Sequence, residues 1–392
     1  MTEAAEGTTG GRGEVLVVGA GIGGLAAALC FRQRGVPVRV VERAPAITEV
    51  GAGLQISPNG GAVLRALGLG PALEAASLRA EAVVLSDYRR PGDVLRLDLR
   101  RRPDQYFALM HRADLIGLLE AAARAAGIPI ALGREVTEVR PGARPEVVFA
   151  DGSIQRAALV VGADGLHSPT RAALNGADSP FFTGQVAWRA VVPLQAPLPR
   201  EARVVMAPGR HLVFYPLRDG RQANLVAIRE RSAWTEEGWH HADDPETLRA
   251  TFADVRGPAR PLLDAVTQVG LWGLFRHPVA AAWHGAGVAI LGDAAHPTLP
   301  FLAQGANLAL EDAWVLADSW DGTEASLSRY QARRRDRAQK VISAANRNAW
   351  KYHVRFGPAR AIGHTGLRML GALAPEKMLQ QFDWIYGCDV TQ

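Results

Sequence analysis

The residues of this chain best suited to chemistry with a phosphate are Gly19-Ala20-Gly21-Ile22-Gly23-Gly24. Glycines at this spacing let the main chain turn tightly and approach a pyrophosphate, whose charge then meets free N–H groups at a helix start. Glu42 follows at the distance where an acidic side chain can bond a ribose hydroxyl, with Arg43 beside it. A glycine string alone is weak evidence. Here the apolar run Val15-Leu16-Val17-Val18 precedes it and an Ala- and Leu-rich stretch follows, so the segment reads as a dinucleotide-binding β-α-β unit. On this segment alone the nucleotide is NAD or FAD.

Two further segments end a buried strand with a short acid. They are Val161-Gly162-Ala163-Asp164-Gly165 and Leu291-Gly292-Asp293-Ala294-Ala295-His296-Pro297. Either aspartate could serve a nucleotide or cap a helix. Asp293, with Ala294 and Ala295 behind it, suits an N-cap, and the two roles can coexist. Pro297 and Pro300 then stiffen a loop that ends in Gln304-Gly305-Ala306-Asn307, where small residues would let main-chain N–H groups approach a ligand.

His211 and Tyr215 are four apart on one predicted strand, so the side-chain period of two puts both on one sheet face. His211 is a base or hydroxyl-binding residue, or else a satisfied structural histidine. Arg189 could pair with a substrate carboxylate or be a structural strand arginine. His296 reads as a capping or packing histidine. Phe181, Phe182 and Trp188 could line a ring pocket, although core packing is the ordinary role of aromatics.

These residues need a scaffold, and the pattern supplies one. A helix over 25–34 stops at Gly35, and the apolar run 36–41 is the next buried parallel strand. A glycine-rich loop at 51–53 leads to a helix that starts at Ser57-Pro58-Asn59 and ends near Gly68. Residues 79–100 alternate apolar and polar around Pro91-Gly92, as a hairpin does. A helix over 112–126 and a hairpin near 147–151 return the chain to a buried strand at 159–161. Between Phe182 and about Trp283 the pattern changes to strands at 203–206, 211–217 and 222–228, separated by Pro and Gly turns. Residues 288–291 form one more buried strand, 305–317 a helix, and 325–352 further helix; the last forty residues are the least readable.

The fold class expected is α/β: a Rossmann-like nucleotide domain with an inserted antiparallel-sheet substrate domain and a helical C-terminal region. The discontinuous nucleotide domain comprises residues 1–78, 102–180 and 284–350, the substrate domain 79–101 and 181–283, and the C-terminal helical segment 351–392.

Composition excludes several classes. With 392 residues, 48% hydrophobic and 21% charged, the chain is globular and large enough for two or three domains. The net charge of +5 is too small to argue for nucleic acid, and the basic run Arg333-Arg334-Arg335-Asp336-Arg337 reads as one solvated helix face. Residues 1–13 have neither the basic nor the apolar region of a signal peptide and read as a frayed tail. Apolar runs are broken before they reach a membrane-spanning length. Cys30 and Cys388 offer neither a disulfide framework nor metal-ligand spacing. A cytoplasmic protein without a metal is expected.

Together, the three ordered segments resemble the single-component FAD-dependent aromatic hydroxylases, the group A flavoprotein monooxygenases. The likeness extends to about Arg347 and is strongest to the salicylate, 3-hydroxybenzoate and 6-hydroxynicotinate hydroxylases. His211-Leu212-Val213-Phe214-Tyr215-Pro216 resembles a substrate-binding string of that subgroup, and Asp383-Trp384-Ile385-Tyr386-Gly387 is similar to its C-terminal string. Ala190 departs from the family, which usually has Gly there.

The resemblance implies FAD as cofactor, NADH or NADPH as reductant, and O2 and a small aromatic compound as substrates, the ring being hydroxylated by a flavin hydroperoxide. It implies Gly19, Gly21, Gly23, Gly24, Glu42, Arg43, Arg112, Asp164, Gly292, Asp293, Gly305, Ala306 and Asn307 as cofactor residues. Arg112 could instead pair with Asp114. Pro300 would pack over the reactive flavin carbon, Gln304 would point at the substrate, and main-chain donors would stabilise the reduced anionic flavin. His211 and Tyr215 complete the catalytic set, with Arg189 and Trp188 on the substrate. A base at the ring hydroxyl speeds oxygen transfer, and the site must exclude water. A hydroxybenzoate is the substrate expected. The alternatives are a larger quinone precursor, quinolone or polyketide, an NAD-dependent dehydrogenase, or a non-enzymatic FAD-binding protein. Ring position, loss of a carboxylate and the choice of NADH or NADPH stay open, and a homodimer is possible.

Overall fold

The computed structural model describes residues 13–47, 52–177, 179–233 and 241–392. The expected frayed tail up to residue 12 and Gly51 of the glycine-rich loop lie outside them.

Strand Val15–Val18 is buried along its whole length, because helices cover one face of its sheet and the small sheet of Val136–Arg140, Glu146–Phe149 and Ile154–Arg156 packs on the other. Val38–Val41 and Leu159–Gly162 flank it in parallel, and Val288–Ile290 lies beyond Leu159–Gly162. Registers align the strand ends: Val18 stands opposite Val41 and Gly162, and Gly162 opposite Ile290. Glycine string, Glu42, Asp164 and Gly292-Asp293 therefore leave the sheet at one edge, the carboxyl end where open α/β sheets bind ligands. Helix Ile22–Gln33 begins within the glycine string, with Gly21 as its N-cap, and is buried along most of its length; Gly35, at φ +72°, ends it.

The second sheet has eight strands, in the order His241–Asp243, Val269–Arg276, Phe181–Pro193, Gln222–Glu230, Arg210–Leu217, Glu201–Ala207, Ala82–Asp87, Asp93–Asp98. The hairpin expected over 79–100 is its far edge. All neighbours are antiparallel except Glu201–Ala207 with Ala82–Asp87, which are parallel. One face packs a core of Trp188, Phe252, Leu262 and Leu271 against helices Pro245–Thr251 and Ala259–Asp264. The other face looks toward the first sheet.

Helices Gly305–Ser319 and Glu324–Ala349 close the nucleotide side, and their contact corrects the reading of the basic run. Arg334 is buried and ion-paired to both Glu311 and Asp312, and Arg337 also pairs with Glu311. Positions three apart share a helix face, so Arg334 and Arg337 point inward while Arg333 and Asp336 stay exposed. Burial alone would raise the carboxyl of Asp312, but His296 and Arg334 beside it bring it down to about 2. Helix Gly357–Leu373 lies on the edge strand Asp93–Asp98, and Pro375–Gln380 and Asp383–Tyr386 complete the C-terminal region.

Candidate active site

A cavity of about 1240 Å³ runs from the carboxyl end of the first sheet to the inner face of the second. That exceeds the room a drug-sized ligand needs and suits a dinucleotide plus a small ring.

At the nucleotide end the glycines divide their work. Gly19 has φ +102°, a conformation open to glycine. A Cβ on Gly21 would meet nothing and project into the cavity, whereas one on Gly24 would overlap the Gly19 carbonyl oxygen. One on Gly23 would come 2.7 Å from Leu291 Cδ1. Gly24 does not line the cavity, so its expected cofactor role is corrected to close packing of helix on turn. Glu42 accepts N–H bonds from Ala20 (2.8 Å) and Ala44 (2.9 Å), which fix its carboxylate at the cavity wall. Arg43 and Arg112 also line this region. Asp114, the alternative partner for Arg112, is held by Arg218 at 3.2 Å.

Ser168 caps helix Pro169–Asn175, its Oγ accepting from Arg171 N, and Asp164 supports that cap by accepting from Ser168 Oγ and from Thr170 N and Oγ1 while it also lines the cavity. Burial pushes its carboxyl up, against the pull of these hydrogen bonds. Arg171 ties this segment to the third by donating to the carbonyl of Ala294 at 3.0 Å. Asp293 is different. The short turn Gly292–Ala294 is capped by Leu291, and Asp293 is exposed to the cavity, so the N-cap reading is corrected. The space beside Gly21, with Glu42, Asp164 and Asp293 around it, fits the pyrophosphate and polyhydroxyl parts of FAD.

The loop from Pro297 to Ala306 forms one wall, with Pro300, Gly305 and Ala306 on the cavity. Asn307 is fully buried behind it: its Nδ2 donates to the carbonyls of Ala303 (2.8 Å) and Gln55 (3.1 Å), and its Oδ1 accepts from Ser57 N (3.0 Å). A side chain committed in this way shapes the loop instead of touching a cofactor, which corrects its expected role. Ala303 adopts φ +51° within the loop, an uncommon conformation for a residue with a Cβ. Gln304 is corrected on the same ground. Its Oε1 accepts from Asn59 Nδ2 (3.1 Å), and its Nε2 donates to Ser57 Oγ (2.9 Å) and the Leu302 carbonyl (3.4 Å), so no donor is left for a substrate. His296 is buried, bonded to Asp312 and packed on Trp283.

On the second sheet, alternation decides which residues reach the cavity. Arg189, His211, Val213 and Tyr215 line it, and cross-strand partners of the same face, Val226 and Ile228, lie between them. Trp188 must then point the other way. It is buried against Phe252, with its Nε1 donating to Asp243 at 2.7 Å, so its substrate role is corrected. Phe181 and Phe182 do not line the cavity either; Phe182 packs on Phe275 with the rings tilted by 52°.

The Arg189 guanidinium lies 4.9 Å from the Trp272 ring centroid, and its Nε is buried without a hydrogen-bond partner. Burial pulls the guanidinium below its ordinary range, partly opposed by Tyr215. Tyr215 is pushed up by burial, against Arg189 and a hydrogen bond with Gln55. His211 is held well below the ordinary histidine range by burial and by His353 beside it. It is therefore neutral near pH 7, with a lone pair available for a ring hydroxyl.

Gln55, Trp272 and His353 were missed in the sequence. Trp272 sits on the cavity through the register that pairs it with Ala187, and His353 comes from the C-terminal stretch that carries no motif. Among the described residues no group of three or more His, Cys, Asp or Glu is placed to hold a metal ion, and no helix is long and apolar enough to cross a membrane.

Residues 12–345 match the family described as FAD binding domain. The chain is 36% identical over 359 residues to 3-amino-4-hydroxybenzoate 2-monooxygenase of Streptomyces cremeus, covering 88% of this chain and 89% of that one. It is 31% identical to 3-hydroxybenzoate 6-hydroxylase 1 of Aquipseudomonas alcaligenes, covering 96% and 98%. The crystal structure of CtdE in complex with FAD and a substrate superposes with a TM-score of 0.84 over 97% of this chain and 96% of that one; at 22% identity this likeness shows the fold.

Proposed function

This chain belongs to the FAD binding domain family of flavin-dependent aromatic monooxygenases, and we infer that its substrate is a small ring bearing both a hydroxyl and a carboxylate. When bound, FAD takes electrons from NADH or NADPH and delivers one oxygen atom of O2 to the ring. The observation that carries the substrate reading is the shared sheet face of Arg189, His211 and Tyr215. A cation seated on Trp272 with a buried Nε lacking a partner awaits an anion, and a neutral imidazole on the same face awaits an acidic hydroxyl. The relatives act on hydroxybenzoates, as their names state.

In this reading Arg189 fixes the carboxylate, His211 removes or shares the hydroxyl proton, Tyr215 orients the ring, and Pro300 packs over the cofactor. Gly19, Gly21, Gly23, Glu42, Arg43, Arg112, Asp164, Gly292, Asp293, Gly305 and Ala306 hold FAD. The nucleotide domain comprises 1–78, 102–180 and 284–350, with 79–101 and 181–283 as substrate domain and 351–392 as a C-terminal segment. Ile362, Met369, Leu370 and Leu373 on helix Gly357–Leu373 are exposed, a surface that a second copy would cover in a homodimer. The cytoplasm, with its NAD(P)H pool, is the setting that suits this chemistry.

The test is NADH and NADPH oxidation with oxygen uptake and product analysis by FAD-loaded protein across salicylate, 3- and 4-hydroxybenzoate, 3-amino-4-hydroxybenzoate and 6-hydroxynicotinate. Stimulation with a hydroxylated product is expected from at least one acid. If none stimulates, the reading passes to a larger apolar substrate, which the walls of Leu85, Leu95, Leu97, Val204 and Met206 beyond His211 would accommodate.

A further inference from the structure

Behind His211 a line of titratable side chains leads away from the cavity. His211 Nδ1 and His353 Nε2 are 2.6 Å apart, and His353 Nδ1 is 3.1 Å from Glu230 Oε1. His211 and His353 are buried, whereas the Glu230 side chain is 36% exposed and pairs with exposed Arg355, Nε to Oε2 at 3.1 Å. The line thus begins at the candidate substrate site and ends in solvent.

The directions of its hydrogen bonds follow from the end that is fixed. An ionised carboxylate only accepts, so His353 Nδ1 donates to Glu230. Neutral His353 then has its lone pair on Nε2, and His211 Nδ1 must donate to it. This leaves the lone pair of His211 on Nε2, which has no hydrogen-bond partner among the described residues. The arrangement is also clamped: Gly209 N donates to the His353 carbonyl at 3.1 Å, and Glu230 N to the Gly209 carbonyl at 2.9 Å. Tyr352 and Phe301 pack on the His211 ring at 5.2 and 6.1 Å between centroids.

A histidine in such a place is a poor store for a proton. Burial disfavours the imidazolium at both positions, and Glu230 favours it only at His353. A proton taken from a ring hydroxyl therefore needs an onward path, and the cavity that must exclude water cannot provide it.

We propose that His353 and Glu230, acting through His211, relay the ring-hydroxyl proton from the closed site to solvent. This rests on the reading of His211 as the base. The substrate O–H breaks as an N–H forms at His211 Nε2; the Nδ1 proton of His211 passes to His353 Nε2; the Nδ1 proton of His353 passes to Glu230, which yields it to water. Both imidazoles end neutral in the opposite tautomer, and the ring is left as phenolate. When product leaves, the reverse passage reprotonates it and restores the starting tautomers. His353 and Glu230 are positioning residues that never touch the substrate.

The experiment mixes FAD-loaded enzyme with 3-hydroxybenzoate, or whichever acid of the panel above drives NAD(P)H oxidation. A pH indicator follows proton release, and ring absorbance follows ionisation of the bound substrate. In Glu230→Gln, at a partly exposed position that folding tolerates, and in His353→Asn, both signals slow by about tenfold or more, less than the roughly 100-fold of an acceptor at the reacting group itself because these residues act through His211. The pH profile of release shifts, while equilibrium affinity for the ring acid is retained. Wild-type release in both variants, with release abolished in His211→Gln, overturns the relay and leaves the base reading intact. Unchanged release and hydroxylation in His211→Gln overturn the base reading and the relay with it.

Discussion

Arg189 lies over the indole of Trp272, its guanidinium carbon 4.9 Å from the ring centroid, on the sheet face that lines the cavity. Stacking orients the planar cation without neutralising it, and no carboxylate among the described residues is within ion-pair distance. Replacing Arg189 with Met is expected to lower kcat/KM for a hydroxybenzoate by about 100-fold or more, the scale of removing one partner from a buried charge pair. The loss falls mainly in KM. The same ring without its carboxylate is the control. Equal losses on the acid and on the plain phenol would show that Arg189 does not read the carboxylate.

Gln304 reaches the cavity wall with its side chain already spent on Asn59, Ser57 and Leu302. Truncating Gln304 to Ala leaves a buried donor on Asn59 and a buried hydroxyl on Ser57 with fewer partners. The expected cost is about 1–3 kcal/mol of stability, read as a lower Tm, with kcat of the folded enzyme little changed. A large drop in kcat at unchanged Tm would restore Gln304 to the catalytic set.

The parts of the site that depend on local backbone geometry were legible in the sequence. Gly19 to Gly23, Glu42 and Asp293 are read from a strand, a turn and a helix start within a few residues, and parallel strands bring such turns to one edge. Strand periodicity likewise placed His211 and Tyr215 on one face. The same period, applied one residue further, would have separated Trp188 from Arg189, since neighbours on a strand cannot share a face. What stayed hidden depends on partners far away in the chain. Asn307 and Gln304 are locked by residues 57 and 59, about 250 positions earlier. Arg334 turned inward because the carboxylates of Glu311 and Asp312 wait there on another helix. His353 had no local signal, as its meaning arises only where the C-terminal stretch crosses Arg210–Leu217.

Arg334 is buried between two buried carboxylates, and losing it leaves them uncompensated. Arg334→Met is expected to destabilise by about 3–5 kcal/mol at neutral pH, measured by urea unfolding. The pH dependence has a definite sign. Asp312 is held at about 2, below its ordinary 3.8, so the stability it contributes is complete above about pH 4 and is lost as pH falls toward 2. With Arg334 gone, burial raises the carboxyl with less opposition, and the acid-side loss begins at higher pH. A variant whose stability falls in parallel with the wild type from pH 5 to pH 2 would mean that Arg334 does not set this ionisation.

Gly21 and Gly24 are three residues apart in one motif, yet they answer to different constraints. A side chain on Gly21 enters open cavity, whereas a single methyl on Gly24 meets the Gly19 carbonyl. Gly21→Leu should therefore abolish FAD retention, read as loss of the flavin absorbance that co-purifies with the protein. The thermal stability of the apoprotein should stay close to wild type. Gly24→Ala should lower the stability of the apoprotein itself, by about 1–3 kcal/mol as overpacking does, because the helix must move away from the turn whether or not a cofactor is present. Had both glycines served the pyrophosphate alone, the two apoproteins would melt together with the wild type, and that result would return Gly24 to the cofactor site.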